Sequence, residues 1–442
     1  MATALLTDLY ELNMAASYLR RGMTATATFS LFVRTMPPDR GFLVAAGLDD
    51  CLTFLERFRF EDDELDYLGD VLGFGEPTLM ALQDLRFTGE AWAVPEGSVV
   101  FAGEPLLEVT APLAEGQLVE TFLLNQITYQ TAVASKAARC VTAARGRDVV
   151  DFAFRRTHGV EAAMAVARTS AMVGFAATSN VEAARRYGLA ASGTMAHSFV
   201  EAFGTEQAAF RAFAQDFPSR TTFLVDTYDT LQGVRTAIEV IRELGLSEGL
   251  AVRLDSGDLA ALAREARALL DAAGLSHVRI LASGGLDEHA LEELVAVGAP
   301  IDGFGVGTRV GVSADAPYLD SAYKLVEVGD RPVLKLSPAK ATAPGRKQVF
   351  RPALMEGDVV GLRDEPVPEG CRPLLEPVMR GGRRIGEPFD LARARGRFER
   401  DLAELPESAL SLRAPTPPAV RPSDRLRALS DRVAAEVRGS GR

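Results

Sequence analysis

Short apolar runs alternate with amphipathic stretches from Asp148 to Arg309, and each run ends in a tight polar or glycine-rich cluster. The runs are Val149 to Phe154, Gly174 to Ala177, Ala190 to Met195, Thr222 to Val225, Leu250 to Leu254, Val278 to Ala282 and Ile301 to Phe304. Each has strand length, and residues 160–172, 199–214, 229–244, 258–273 and 287–297 between them read as helices. Strands followed at once by helices predict parallel βα units, and in a closed barrel of such units the loops after the strands gather on one face. Seven units are one short of the regular barrel. The expected fold is therefore α/β, an irregular barrel whose eighth position is uneven or filled from outside the series.

The flanks follow other patterns. Thr7-Asp8 reads as a helix start, with Leu9, Leu12, Met14 and Ala15 near helical spacing up to Gly22. Thr24 to Val33 alternates and is rich in β-branched residues, a strand closed by Pro37-Pro38. Residues 45–84 are helical by pattern, and 87–110 hold strand pieces punctuated by Pro95, Gly97, Gly103 and Pro105. Gly116 to Arg145 predicts one long helix ending at Gly146. Beyond Gly311 the cadence stops. Tyr323 to Glu327 and Arg331 to Lys335 read as a hairpin around Gly329-Asp330, and Pro344 to Arg351 is basic. Pro415, Pro417, Pro418 and Pro422 precede a helix starting at Ser423.

At 442 residues the chain exceeds one small domain, and 47% hydrophobic with 24% charged residues is globular composition. A net charge of -12 argues against nucleic-acid binding, which needs a basic surplus. A bound polyanion would need local arginines. Cys51, Cys140 and Cys371 lie far apart and form neither a disulfide framework nor a C-x-x-C zinc pair. The first residues lack a basic stretch followed by an apolar core, and no apolar run reaches membrane-spanning length. A soluble, cytoplasmic protein is the expectation.

The chemistry concentrates in the seven clusters. His197, one of four histidines, sits in Gly193-Thr-Met-Ala-His-Ser198, where an imidazole can act as base or nucleophile; a hydrogen-bonded core or helix-start histidine is the alternative. His158 is a second candidate, while His277 and His289 look like surface or strand-start residues. Ser283-Gly-Gly285 and Gly305-Val-Gly307-Thr308 follow the last two strands, the usual place in barrels for backbone amides to cradle a phosphate. Asp226, Asp229, Asp255 and Asp258 supply carboxylates for ribose hydroxyls or Mg²⁺, although Asp229 and Asp258 read better as helix N-caps. Arg155, Arg156, Arg253 and Arg309 are the cations that phosphate or carboxylate ligands require. No Walker motif, dinucleotide fingerprint or nucleophile elbow is present.

At these residues the chain resembles the nicotinate phosphoribosyltransferase family, of the type II phosphoribosyltransferase fold. The resemblance is carried by Thr7-Asp-Leu-Tyr-Glu-Leu-Asn-Met14, the barrel motifs and Lys340-Ala-Thr-Ala-Pro-Gly-Arg-Lys-Gln-Val-Phe-Arg351, in order along most of the chain. It implies an N-terminal α+β sandwich domain over 1–124, a barrel over 125–320, a segment over 321–410 packing on the sandwich, and a proline-rich linker with a terminal helix over 411–442. It also implies transfer of phosphoribose from phosphoribosyl pyrophosphate to nicotinate in NAD biosynthesis, a ligase-type reaction coupled to ATP hydrolysis through a phosphohistidine, with Mg²⁺.

By the same resemblance His197 is the phosphorylated residue, with Arg253 and Asp255 beside it in catalysis. Tyr10 and Phe152 sandwich the pyridine ring, the tyrosine coming from a neighbouring subunit, which implies a homodimer with shared sites. Arg155 and Arg253 hold phosphates, and Asp255 and Asp226 the ribose or Mg²⁺. Gly284, Gly285 and Gly307, with Thr308 and Arg309, take the 5′-phosphate, while Ser198 and Asp8 assist around the substrates. The nicotinamide-using relative carries an acidic residue where this chain has Ser179, so Ser179 favours a carboxylate-bearing base. A sugar-phosphate lyase or aldolase on a barrel would want a lysine or metal ligands at the mouth, and no lysine lies in the seven clusters. A non-catalytic binding protein has no need of so many polar groups on one face.

Overall fold

The computed structural model describes residues 3–336 and 342–439. Lys340 and Ala341, which open the last of the quoted motifs, and residues 440–442 of the tail lie outside the described residues. The chain divides into two compact units, Val133–Pro317 and Met1–Ala132 with Tyr318–Arg442.

In the first unit six parallel strands stand in the order Ala177–Thr178, Asp148–Asp151, Gly303–Val306, Arg279–Ala282, Ala251–Leu254 and Thr222–Leu224. Their side chains are those the apolar runs promised: Phe223, Leu224, Val252, Leu254, Ile280, Ala282, Phe304 and Val306 are all buried. The sheet is an open half-barrel. The expected strand Ala190 to Met195 is reduced to a single bridge, Ala191 to Thr178, because Ala190-Ala-Ser-Gly193 offers no β-branched or aromatic side chain to pack on a pleated face.

Helices Val160–Met172, Thr230–Leu244, Leu259–Ala272 and Glu288–Ala296 follow the strands. Asp229, Asp258 and Asp287 cap three of them, each accepting from the backbone N–H three residues on. The helix Thr230–Leu244 approaches its strand closely: a Cβ at Gly233 would lie 2.2 Å from the Val225 carbonyl oxygen. The single helix expected over 199–214 is two, His197–Ala202 and Glu206–Asp216. Gly204, with φ of 75°, breaks the first, and Thr205 caps the second.

The second unit is built on a seven-stranded sheet in the order Arg331–Pro332, Ser321–Val328, Thr26–Val33, Pro105–Pro112, Glu90–Ala93, Glu376–Arg380 and Arg383–Arg384, antiparallel throughout. A four-stranded sheet holds Cys371–Pro373, Lys347–Pro352, Asp358–Leu362 and Val420–Pro422. The segment 45–84 forms three helices, Leu48–Arg57, Asp62–Asp70 and Glu76–Gln83, and the long helix expected from Gly116 is Leu113–Leu118 and Glu120–Ala144, broken at Val119. The basic run Pro344 to Arg351 is spent inside this unit. Arg351 is fully buried against Asp358 at 2.5 Å, and Lys347 meets Glu108 at 3.0 Å. Among the described residues no helix is long and apolar enough to cross a membrane.

Candidate active site

A cavity of about 710 Å³ opens at the C-terminal ends of the barrel strands. Every residue lining it belongs to the half-barrel unit. Phe152 leaves the strand Asp148–Asp151 with its N–H donating to Val306 O at 2.8 Å, and its ring lies against the next strand's Gly305. A Cβ at 305 would stand 2.5 Å from a ring carbon, so only glycine leaves the ring this position. Asp151 locks the turn: one carboxylate oxygen accepts from Ala153 N at 2.8 Å and the other from Thr178 Oγ1 at 2.7 Å. Burial raises the Asp151 pKa, and these two donors partly offset it. Ser179, whose N–H donates to Asp151 O at 2.8 Å, follows Thr178 into the cavity wall.

Arg253 and Asp255 come from the end of the strand Ala251–Leu254. The guanidinium lies over the Phe152 ring, 5.7 Å from its centroid, and donates to Thr194 Oγ1 at 2.6 Å and to Asp255 Oδ1 at 3.2 Å. Ser283 donates to the same Asp255 oxygen. Two donors on one oxygen fix the carboxylate and leave its second oxygen uncommitted to them. Gly284 and Gly285 follow with φ of 95° and 68°, a conformation that L side chains rarely adopt. Gly307 lies against Phe152 as well, since a Cβ there would be 2.9 Å from the Phe152 carbonyl oxygen.

His197 is the first residue of the helix His197–Ala202, and its Nδ1 lies 3.2 Å from Thr227 Oγ1. Asp226, just ahead of Thr227, does not line the cavity; its Oδ2 accepts from Asp255 N at 3.2 Å and Ser256 Oγ at 2.5 Å, while Oδ1 is buried without a partner among the described residues. Glu206 has its pKa raised to about 7 by burial, then by the charges of Asp229 and Asp226. The lining itself carries Arg155, Arg156 and Arg253 against one carboxylate, Asp255, so the mouth is cationic on a chain of net charge -12.

Of the residues singled out in the sequence, His197, Phe152, Arg155, Ser179, Arg253, Asp255, Gly284, Gly285, Gly307 and Thr308 share this cavity. Ser198 is exposed beside His197 and is not part of the lining, and His158 is exposed as well. Arg309, expected at a phosphate, is not part of the lining and pairs with Asp287, the cap of the helix Glu288–Ala296. Burial opposes ionisation of Asp287, but its cap bond and Arg309 outweigh this and lower its pKa. Tyr10 and Asp8 belong to the other unit; Tyr10 is 49% exposed on the helix Leu9–Arg20, and Asp8 accepts from Thr121 Oγ1 at 2.8 Å.

A supporting cluster escaped the sequence reading. Glu288, which starts the helix after the double glycine, is fully buried between Lys136 at 2.5 Å and Arg139 at 3.0 Å. Its signal was present: two cations about one helical turn apart in the otherwise apolar Thr131-Ala-Val-Ala-Ser-Lys-Ala-Ala-Arg-Cys-Val141.

Two family models match the chain: the nicotinate phosphoribosyltransferase N-terminal domain over residues 5–128 and the nicotinate phosphoribosyltransferase family over residues 148–353. A Mycobacterium tuberculosis protein named nicotinate phosphoribosyltransferase pncB2 is 53% identical over 386 residues, 86% of this chain and 83% of its own length. A Bacillus subtilis protein named nicotinate phosphoribosyltransferase is 44% identical over 82% of this chain and 76% of its own. Among solved structures, human nicotinic acid phosphoribosyltransferase superposes with a TM-score of 0.86 at 31% identity, covering 97% of this chain and 99% of that one. With matched models spanning most of its length and relatives this similar, the chain belongs to the nicotinate phosphoribosyltransferase family.

Proposed function

We propose that the protein transfers phosphoribose from phosphoribosyl pyrophosphate to nicotinate, giving nicotinate mononucleotide and pyrophosphate for NAD biosynthesis in the cytoplasm. One observation carries this reading: a flat aromatic platform, Phe152, shares a single cavity with a cation over its ring, Arg253, and with two glycine turns. Ser179 gives a ring lying on Phe152 a hydroxyl rather than a carboxylate to face its own carboxylate, which suits nicotinate better than nicotinamide, while Arg253 holds phosphate. Gly284, Gly285, Gly307 and Thr308 offer backbone amides to the 5′-phosphate, and Arg155 meets the pyrophosphate.

Departure of pyrophosphate from C1 leaves an oxocarbenium-like sugar, so the site works by fixed charge and alignment rather than by a strong base. Asp255, held through one oxygen by Arg253 and Ser283, turns its other oxygen to the ribose. Among the described residues no three His, Cys, Asp or Glu side chains form a metal-holding group. Mg²⁺ takes one or two carboxylates plus substrate phosphates, and Asp226 Oδ1, without a partner among the described residues, is such an acceptor. When bound, Mg²⁺ would neutralise phosphate charge.

ATP coupling runs through His197, whose ring is held at Nδ1 by Thr227; a neutral imidazole nitrogen attacks the γ-phosphate, ADP leaves, and water later takes the phosphoryl group. Tyr10 of a second copy completes the base slot of a homodimer. The test is release of pyrophosphate and ADP with nicotinate, nicotinamide or no base. Pyrophosphate release that requires nicotinate supports the reading, and indifference to the base defeats it.

A further inference from the structure

The stretch from Gly193 to Ala196 carries His197 to the head of its helix, and among the described residues no strand pairs with it. Side-chain contacts tie it down instead. Near its start the Thr194 hydroxyl accepts from the Arg253 guanidinium at 2.6 Å and donates to Met195 O at 3.1 Å, so its one hydrogen is committed and an acceptor site is filled. Just past its end the His197 ring lies 3.2 Å from Thr227 Oγ1. The two ties meet on the far side of the rim. Asp226, next to Thr227, accepts from Asp255 N at 3.2 Å, and Asp255 Oδ1 accepts from Arg253 at 3.2 Å. His197, Thr227, Asp226, Asp255, Arg253 and Thr194 therefore form one closed circuit.

Arg253 is the hub of that circuit. Its side chain is 13% exposed, with the Phe152 ring under its face, Asp255 at one terminal nitrogen and Thr194 at the other. Phe152 and Asp255 orient the guanidinium toward the base platform and the ribose side; Thr194 adds a charge-assisted bond to the segment that bears the imidazole. A phosphoryl group on that imidazole brings on the order of two negative charges, three residues from Thr194 on a stretch that no ladder holds back. We infer that Thr194 is a positioning residue that couples the two halves of the reaction: through its hydroxyl, the charge on His197 sets the placement of the Arg253 guanidinium and so the hold on phosphoribosyl pyrophosphate. This rests on the reading that His197 carries the phosphoryl group and Arg253 meets a phosphate. Coupling of this kind is reciprocal, so bound phosphoribosyl pyrophosphate biases the His197 loop by the same factor.

The experiment compares Thr194→Val, which keeps the shape without the hydroxyl, Thr194→Ala, and Thr194→Ser, which keeps the hydroxyl, in the full-length enzyme, with unfolding temperature as the folding control. The KM for phosphoribosyl pyrophosphate is measured with and without ATP, beside the acid-labile label taken up from γ-labelled ATP. In the parent and in Thr194→Ser, ATP should shift that KM about tenfold. In Thr194→Val and Thr194→Ala the label should still form, while the shift falls below about twofold. A parent-sized shift in either hydroxyl-free variant overturns the coupling role, as does a shift that Thr194→Ser fails to recover. Loss of the label in the hydroxyl-free variants also overturns it, by placing Thr194 in the phosphorylation step itself. A labelled parent whose KM ignores ATP overturns the inference alone; a parent that takes no label defeats the reading of His197, and the inference falls with it.

Discussion

Gly284 passes over Asp255 so closely that a Cβ at position 284 would stand 1.9 Å from the Asp255 carbonyl oxygen. The turn offered to a phosphate and the residue offered to a ribose are thus one piece of backbone geometry. Gly284→Ala meets both this clash and a φ of 95°. It should cost about 2 kcal/mol or more of stability and raise the KM for phosphoribosyl pyrophosphate more than that for nicotinate. Thermal unfolding and initial rates against each substrate check it; a normal KM for the phosphorylated substrate removes the glycine turn from the phosphate site.

His197→Ala should abolish nicotinate-dependent ATP hydrolysis while leaving some uncoupled transfer, because the cavity's base platform and glycine turns are untouched. Incubation with γ-labelled ATP, followed by acid and base treatment, should give an acid-labile protein phosphate on the parent and none on the variant. Retention of that label on the variant assigns the phosphoryl group elsewhere.

Ser179→Asp adds a carboxylate to the cavity wall beside the base platform. Like charge against nicotinate should raise its KM at least tenfold, an effect of about 1.4 kcal/mol, and improve relative use of nicotinamide. Unchanged kinetics with nicotinate would place the carboxylate of the base away from Ser179.

Glu206, with its pKa raised to about 7, gives a stability signature. A carboxyl whose folded value lies above its unfolded one stabilises the fold at low pH and loses that contribution as pH rises through the folded pKa. Between about pH 4.5 and 7 the parent should therefore lose stability that Glu206→Gln keeps, about 1 kcal/mol after solvent screening of this partly exposed group. Unfolding temperatures across that range measure it. Parallel curves for parent and variant would show that Glu206 ionises normally.

What the sequence disclosed was local. The caps at Asp229 and Asp258 were legible because a capping side chain reaches only three residues along its own chain. The strands with β-branched or aromatic residues, such as Thr222–Leu224 and Ala251–Leu254, were legible for the same reason. The run at 190–195 misled because apolar character was counted without asking whether alanine, serine and glycine pack on a sheet. The partners of Arg309 and Lys136 are 22 and 152 residues away, and charge alone does not say which acid a cation will find. So neither the Arg309–Asp287 pair nor the support beneath the double glycine is legible in the sequence.

The open edge of the half-barrel has a kinetic meaning. Gly193 to His197 runs just past the last bridge, outside any ladder, whereas Arg253, Asp255 and Gly284 stand on or directly behind laddered strands. The groups proposed to hold the sugar and its phosphates are stitched into the sheet. The imidazole proposed to carry a phosphoryl group opens the helix His197–Ala202 behind an unladdered stretch, so a change of charge there can be absorbed without disturbing the register of the strands.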